Sequence, residues 1–224
     1  MRGRFITFEG GEGAGKTTQI DRLRRRLARL GHSVVVTREP GGSPKAEEIR
    51  LALLGGRARD LGPAGEALLF YAARLDHLEH LVRPSLDQGI HVLCDRFSDS
   101  TRAYQGAFGK VDPRILGSLD RVIVGETEPD LTIILDIPPD LGLCRARRRN
   151  EATKEETDRF ESEGEPFHEA LRQAFREIAA AHPERCVLID ARGVPDEVEE
   201  DVWRAVGERV RALTLPVQAD AHVA

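Results

Sequence analysis

Residues with recognisable chemical spacing begin near the start of the chain. The run Phe5-Ile6-Thr7-Phe8 leads into Glu9-Gly10-Gly11-Glu12-Gly13-Ala14-Gly15-Lys16-Thr17-Thr18, which contains the spacing Gly-x-x-x-x-Gly-Lys-Thr. Glycines let a backbone turn its N–H groups inward around a phosphate, and a helix starting at Lys16 adds partial positive charge. Lys16 is placed to reach the β- and γ-phosphates of ATP, and the Thr17 hydroxyl to ligate Mg²⁺. Gly10 through Thr18 are therefore the expected nucleotide cradle. The apolar run before the glycines and the leucine-striped segment after them are the strand and helix this loop requires.

A triphosphate loop leaves the reaction open. The sequence has no Asn-Lys-x-Asp run of the kind that reads guanine, and a motor or ATPase of this class would usually be larger. Several other residues read as an acceptor site. Asp95-Arg96 ends the apolar run Val92-Leu93-Cys94, so it should face the loop from a strand's carboxyl end. Asp95 could hold Mg²⁺ or its water and Arg96 a phosphate; a structural ion pair is the alternative. Arg38, ending Val34-Val35-Val36, is placed in the same way, or is incidental to the turn Pro40-Gly41-Gly42. Phe70 and Arg74 are four residues apart on one helix face, where a ring can stack on a nucleobase and a guanidinium can donate. Core packing of Phe70 with a surface Arg74 remains open. Ser100 and Tyr104 repeat that spacing, with Gln105 adjacent. Arg145, Arg148 and Arg149 share a helical face leading into a polar stretch, where they could stabilise a phosphoryl group in flight. They could equally be a solvated helix end.

Parallel strands and helices must position these groups. Five continuous apolar runs stand out: Phe5–Phe8, Val34–Val36, Val92–Cys94, Leu131–Leu135 and Val187–Ile189. Continuous runs suit parallel strands buried on both faces. Between them lie helical stripes: Ile20, Leu23, Leu27 and Leu30; Phe167, Leu171, Phe175 and Ile178; and valines every four residues from Val194 to Val210. The pattern predicts an α/β fold with a parallel sheet. Arg22, Arg24, Arg25 and Arg26 lie opposite the first leucine stripe and read as a solvated face. Asn150 to Glu165 carries seven acidic residues and can supply no core; it reads as a lid or a surface excursion.

Length and composition agree. The chain has 224 residues, 40% hydrophobic and 32% charged, with a formal net charge of −5. One sizeable core fits that length. The acidic balance argues against a nucleic-acid or membrane partner, since gripping either usually takes a basic surplus. Cys94, Cys144 and Cys186 match no metal spacing and read as reduced thiols. No run approaches the roughly 18 apolar residues a membrane span needs, so a cytoplasmic location is expected. A single domain over 1–213 is expected, with a lid at about 142–165 and a frayed tail over 214–224.

Taken together, Phe8-Glu9-Gly10 through Thr18, Thr37-Arg38-Glu39-Pro40-Gly41-Gly42, Leu69 to Arg74, Asp95-Arg96-Phe97 and Ala103-Tyr104-Gln105-Gly106 resemble bacterial thymidylate kinase. The match runs from about Phe5 to about Ala191, with Pro129-Asp130-Leu131 and Asp158-Arg159-Phe160-Glu161 in register. The resemblance implies a P-loop, nucleoside-monophosphate-kinase-like fold on a five-stranded parallel sheet, ATP and Mg²⁺ as cofactors, dTMP as substrate, and a homodimer. It implies that Arg38, Arg74 and Arg96 contact dTMP through its phosphate or base, that Phe70 stacks on thymine, and that Ser100, Tyr104 and Gln105 line the nucleoside pocket. Glu12 matches the acidic loop residue near the sugar. Gly13 stands where some members carry a catalytic arginine, so the charge must come from elsewhere. Arg145, Arg149 and Arg159 resemble the lid arginines of the bacterial type. Phe97 stands where the family often has Tyr or His, with little consequence expected if it only packs. Two rivals remain: a kinase for another nucleoside or monophosphate, and a P-loop switch with no acceptor.

Overall fold

The computed structural model describes residues 2–153 and 160–217. Five parallel strands form one sheet in the order β2-β3-β1-β4-β5. They are β1 (Phe5–Gly10), β2 (Val34–Arg38), β3 (His91–Asp95), β4 (Leu131–Asp136) and β5 (Cys186–Asp190). The central three are almost wholly buried, as continuous apolar runs require. The edge strands are not: Val36 on β2 and Leu188 on β5 are exposed.

Side chains alternate between the faces of the sheet. Ile6, Phe8, Leu93, Ile133 and Leu135 point to one side, where they meet Ile20, Leu23 and Leu27 of α1 (Lys16–Arg29) and Val198, Val202 and Val206 of α9 (Pro195–Arg209). On the other side Ile134 and Cys186 pack on Phe167, Leu171 and Phe175 of α8 (Glu165–Ala181). Phe5, Val92 and Cys94 pack there on Leu78, Val82 and Leu86, a stretch that extends α3 (Gly62–His77) through a π-helical turn into α4 (Arg83–Asp87). The remaining α-helices among the described residues are α2 (Pro44–Leu54), α5 (Ser98–Thr101), α6 (Pro113–Leu119) and α7 (Pro139–Thr153).

Some expectations change. The arginine face of α1 is not simply solvated: Arg22 pairs with Asp196 and Glu199 and Arg26 with Glu200, all on α9. Arg26 also lies 4.2 Å from the Trp203 ring centroid. Only Arg24 and Arg25 stay with their own helix, on Asp21. Two acidic turns of α9 lie across α1, which no pattern within α1 could reveal. Cys94 and Cys186 are buried, whereas Cys144 is exposed on α7. Past residue 214 the chain runs back along the end of α1 and the turn that follows it. Val217 N donates to Leu30 O at 2.8 Å, and His32 Nε2 lies 2.9 Å from Leu215 O. The rest of the expected tail, and 154–159 of the expected lid, lie outside the described residues. Among the described residues no helix is long and apolar enough to cross a membrane.

Candidate active site

All the candidate residues on strand ends lie along the carboxyl edge of the sheet, where ligands of open α/β folds sit. The phosphate loop joins β1 to α1. Its turns use left-handed backbone at Gly13 (φ 66°) and Gly15 (φ 91°), conformations that favour glycine. No side chain among the described residues caps the start of α1, so its first N–H groups remain directed at the loop's concavity. Lys16 folds back over the loop, donating to Gly10 O at 3.2 Å and Gly11 O at 3.0 Å. Burial and the Arg96 charge lower its pKa, against the pull of Glu12, Asp95 and Glu9. Thr17 Oγ1 donates to Asp95 Oδ2 at 3.0 Å, joining the loop to the end of β3.

Arg96 follows Asp95 with φ 67°, a strained conformation for a residue with a side chain. Its N–H donates to Phe8 O at 2.9 Å, and its side chain donates to Gly10 O at 3.1 Å, to Ser100 Oγ at 3.2 Å and to the Glu12 carboxylate. The Tyr104 hydroxyl donates to the same Glu12 oxygen at 3.1 Å. Burial would raise the Glu12 pKa, but Arg96, Lys16, Tyr104 and Arg149 together hold it at about 2. Behind Arg96, the fully buried Glu9 carboxylate accepts from Phe97 N (2.7 Å), Ser100 N (3.2 Å) and Ser100 Oγ (2.6 Å). Burial first, and then the Asp99 charge, push its pKa up to about 7.

These groups open into a cavity of about 210 Å³. Phe70 lines it half-buried, while Arg74 beneath is 1% exposed. The alternative of a core Phe70 and a surface Arg74 is therefore reversed. Arg74 Nε donates to Glu39 Oε2 at 2.8 Å and Nη2 to Thr101 Oγ1 at 3.0 Å. Its guanidinium lies between the Tyr71 and Phe97 rings, 4.7 and 5.1 Å from their centroids. Among the described residues Arg74 Nη1 is buried without a partner, as is Gln105 Oε1. Both residues line the cavity. Phe97 packs edge-on against Phe5, at 5.0 Å, and also lines the cavity.

The structure brings Glu12, Gly13, Ala14, Gly15, Lys16, Thr17, Arg38, Phe70, Arg74, Asp95, Arg96, Ser100, Tyr104, Gln105 and Arg149 to this one cavity. Gly10, Gly11, Thr18 and Arg145 lie elsewhere. Gly10 and Gly11 flank a small void behind the loop, and Thr18 is exposed on the first turn of α1. Arg38 lies at the rim, where Glu47 accepts from it at 3.0 Å. Arg145 is turned away, donating to Ala191 O at 2.8 Å and Arg192 O at 2.9 Å. Arg149 donates to Glu161 at 2.5 Å. Arg159 lies outside the described residues. The sequence reading missed Glu9, Glu39, Arg50, Thr101 and Phe160. The last four line the cavity, and Glu9 holds the turn that carries Arg96. A carboxylate closing an otherwise apolar strand was the one available signal for Glu9.

Comparison with known proteins agrees with this geometry. The family model described as thymidylate kinase matches residues 8–202. A thymidylate kinase from Rhodopseudomonas palustris is 56% identical over 225 residues, covering 100% of this chain and 96% of the relative. One from Bradyrhizobium diazoefficiens is 55% identical over 210 residues, covering 93% of this chain and 91% of the relative. The crystal structure of thymidylate kinase from Ehrlichia chaffeensis superposes with a TM-score of 0.73 at 31% identity, covering 92% of this chain and 100% of that one. With a phosphate loop opening on a cavity rich in arginine and relatives matching over nearly their whole length, the chain belongs to the thymidylate kinase family, enzymes that phosphorylate dTMP.

Proposed function

We propose that this protein transfers the γ-phosphoryl group of ATP to dTMP, giving ADP and dTDP, with Mg²⁺. The observation that carries the acceptor is the pair of unpartnered buried atoms, Arg74 Nη1 and Gln105 Oε1. One is a donor and the other an acceptor, and both residues border the cavity beside the Phe70 ring. Thymine presents a matching edge, the O4 acceptor next to the N3–H donor. Cytosine presents the opposite order. A buried polar group left unpaired costs about 1–3 kcal/mol, so a base that satisfies both groups is strongly preferred to one that satisfies neither. Flanked by the Tyr71 and Phe97 rings and with Nη1 unpartnered among the described residues, Arg74 suits a base better than a phosphate.

Arg96 and Arg38 are then the acceptor-phosphate ligands, and Ser100 and Tyr104 line the sugar side. Glu12 stays ionised and orients Arg96. Lys16 leaves the Gly10 and Gly11 carbonyls for the donor phosphates, and Arg149 adds charge from α7. Thr17 Oγ1 and Asp95 Oδ2, 3.0 Å apart, are hard oxygens beside Lys16. That donor set fits a Mg²⁺ ion shared with phosphate oxygens, because Mg²⁺ prefers one or two carboxylates plus phosphate and water to an all-protein cage. When bound, the ion would offset charge on the phosphates. The protein's task is to position and neutralise. No protein base is required, because a phosphate monoester with a second pKa near 6 is largely ionised at pH 7.

Cytoplasmic location, one kinase domain over 1–213 and a homodimer complete the proposal. Exposed Leu68 and Leu75, on one face of α3, and Val122 beyond α6 support the dimer, which sedimentation would test. The deciding experiment is ADP release from ATP and Mg²⁺ with dTMP, with thymidine, with dCMP, or with no acceptor. Release that depends on dTMP is expected. Equal release in all four would overturn the acceptor assignment and leave an ATPase or switch.

A further inference from the structure

We infer that Gly142 and Arg145 are positioning residues that fix α7 on the phosphate loop and the β5–α9 loop, so that Arg149 is delivered to the transferring phosphoryl group. This rests on the phosphoryl-transfer reading above and adds to it how the lid helix is aimed.

The first tie is backbone against backbone. A Cβ placed on Gly13 would overlap Gly142 O and lie 2.7 Å from Gly142 C. A Cβ placed on Gly142 would overlap Glu12 O and lie 3.3 Å from Ile137 Cγ2. Two glycines thus let the start of α7 rest directly on the loop at Glu12 and Gly13, with no side chain between them. Gly13 also has φ 66°, so both space and backbone conformation require glycine there.

The second tie comes one turn later. Arg145 donates Nη1 to Ala191 O at 2.8 Å and Nη2 to Arg192 O at 2.9 Å and Gly193 O at 3.4 Å. A guanidinium committed to three carbonyls holds its helix to the loop after β5. Gly142, Arg145 and Arg149 are three and seven residues apart, so they share one face of α7. Arg149 stands about 10 Å along the axis from Gly142, at 1.5 Å per residue. There it lines the cavity with Glu12 and Lys16, and its charge contributes to holding Glu12 ionised. A helix pinned at its root and one turn up transmits a displacement of the root to that guanidinium. A misplacement of about 1 Å in such a group can cost on the order of a hundredfold in rate.

The test is a pair of double-mutant cycles on the full chain, reading kcat, KM for dTMP and KM for ATP. Gly142→Ala and Arg145→Met are each combined with Arg149→Ala, and thermal unfolding is recorded for every variant. Expected is a kcat at least about tenfold lower for Arg149→Ala and for each positioning variant, with both KM values within about threefold of the parent. In the Arg149→Ala background neither positioning substitution should lower kcat further, because the group they aim is gone. Losses that multiply in that background would overturn the inference, as would a raised KM for ATP with kcat intact in Arg145→Met. If Gly142→Ala does not fold, the Arg145→Met cycle decides by the same criterion. If Arg149→Ala itself keeps full kcat, the role given to Arg149 falls and the inference falls with it, while dependence on dTMP still tests the acceptor reading separately.

Discussion

Glu9, near the end of β1, and Glu12, in the phosphate loop, are three residues apart, and their environments drive them in opposite directions. Glu12 faces Arg96, Lys16 and Tyr104 and is held at about 2; Glu9 faces the protein interior and Asp99 and is pushed up to about 7. Opposite charge favours ionisation, and burial opposes it. The sign for stability follows. Between the ordinary 4.5 and about 7, the folded chain holds a proton on Glu9 that the unfolded chain has lost. Glu9 therefore makes the fold less stable as pH rises through that window. Glu9→Gln removes the titration. Relative to that variant, the parent should lose roughly 3 kcal/mol between pH 4.5 and 7, at about 1.4 kcal/mol per pKa unit. Urea unfolding of both proteins at several pH values measures this, and a constant difference would contradict it. Two further substitutions address binding and chemistry. Gln105→Leu removes the acceptor for the base and should raise KM for dTMP by about tenfold or more at little cost in kcat. Lys16→Ala should lower kcat by orders of magnitude; near-full activity would remove Lys16 from the mechanism.

Single elements carry the next level of organisation. The short helix α5 holds Ser100 and Thr101 beside the cavity, yet at four residues it has little intrinsic stability. A buried ionic network supports it. Asp99 accepts from Arg185 at 2.6 and 2.9 Å and from Arg102 at 2.7 Å. Arg102 in turn reaches Asp120, which accepts from the Tyr71 hydroxyl at 2.7 Å. The residue leading into β5, α3 and α5 are thereby joined. Asp99→Ala would leave Arg185 without its carboxylate and Arg102 with Asp120 alone, and should destabilise the fold by about 3–5 kcal/mol, measurable by urea unfolding. The start of α7 sets a different constraint. An arginine introduced at Gly13 would meet Gly142 O, so Gly13→Arg should lower kcat instead of supplying a second catalytic charge. Steady-state assays against the parent decide this.

At the scale of the molecule, one twisted sheet gathers loops from distant parts of the chain. The ends of β1, β2 and β3 are brought into register, with Asp95 beside both Phe8 and Arg38. This arrangement places the phosphate loop, Arg38 and the Asp95-Arg96 pair on one rim. A ligand that fills the cavity between them should stabilise the whole fold. At a hundred times its dissociation constant, dTMP should add about 2.7 kcal/mol to the unfolding free energy. dCMP at the same concentration should add much less. A thermal-shift titration with the two nucleotides makes the comparison.

The strands, the main helices and the phosphate loop were legible in the sequence because their signals are local. Continuous apolar runs, a 3–4 residue stripe and the spacing from Gly10 to Thr17 each act within a few residues. The candidate acceptor residues were legible as types, and most meet at one cavity. Their relations were not legible, because those depend on pairings across the sheet. Arg74 is buried because Glu39, Thr101, Tyr71 and Phe97 close around it. Arg145 points to the loop after β5 and Arg149 to the cavity, although both lie on one helix face. Glu9 is protonated more readily than Glu12 because folding removes water from one carboxylate and brings two cations to the other. Solvent exclusion and approach between distant segments exist only once the chain has folded, so the tertiary structure alone decided them.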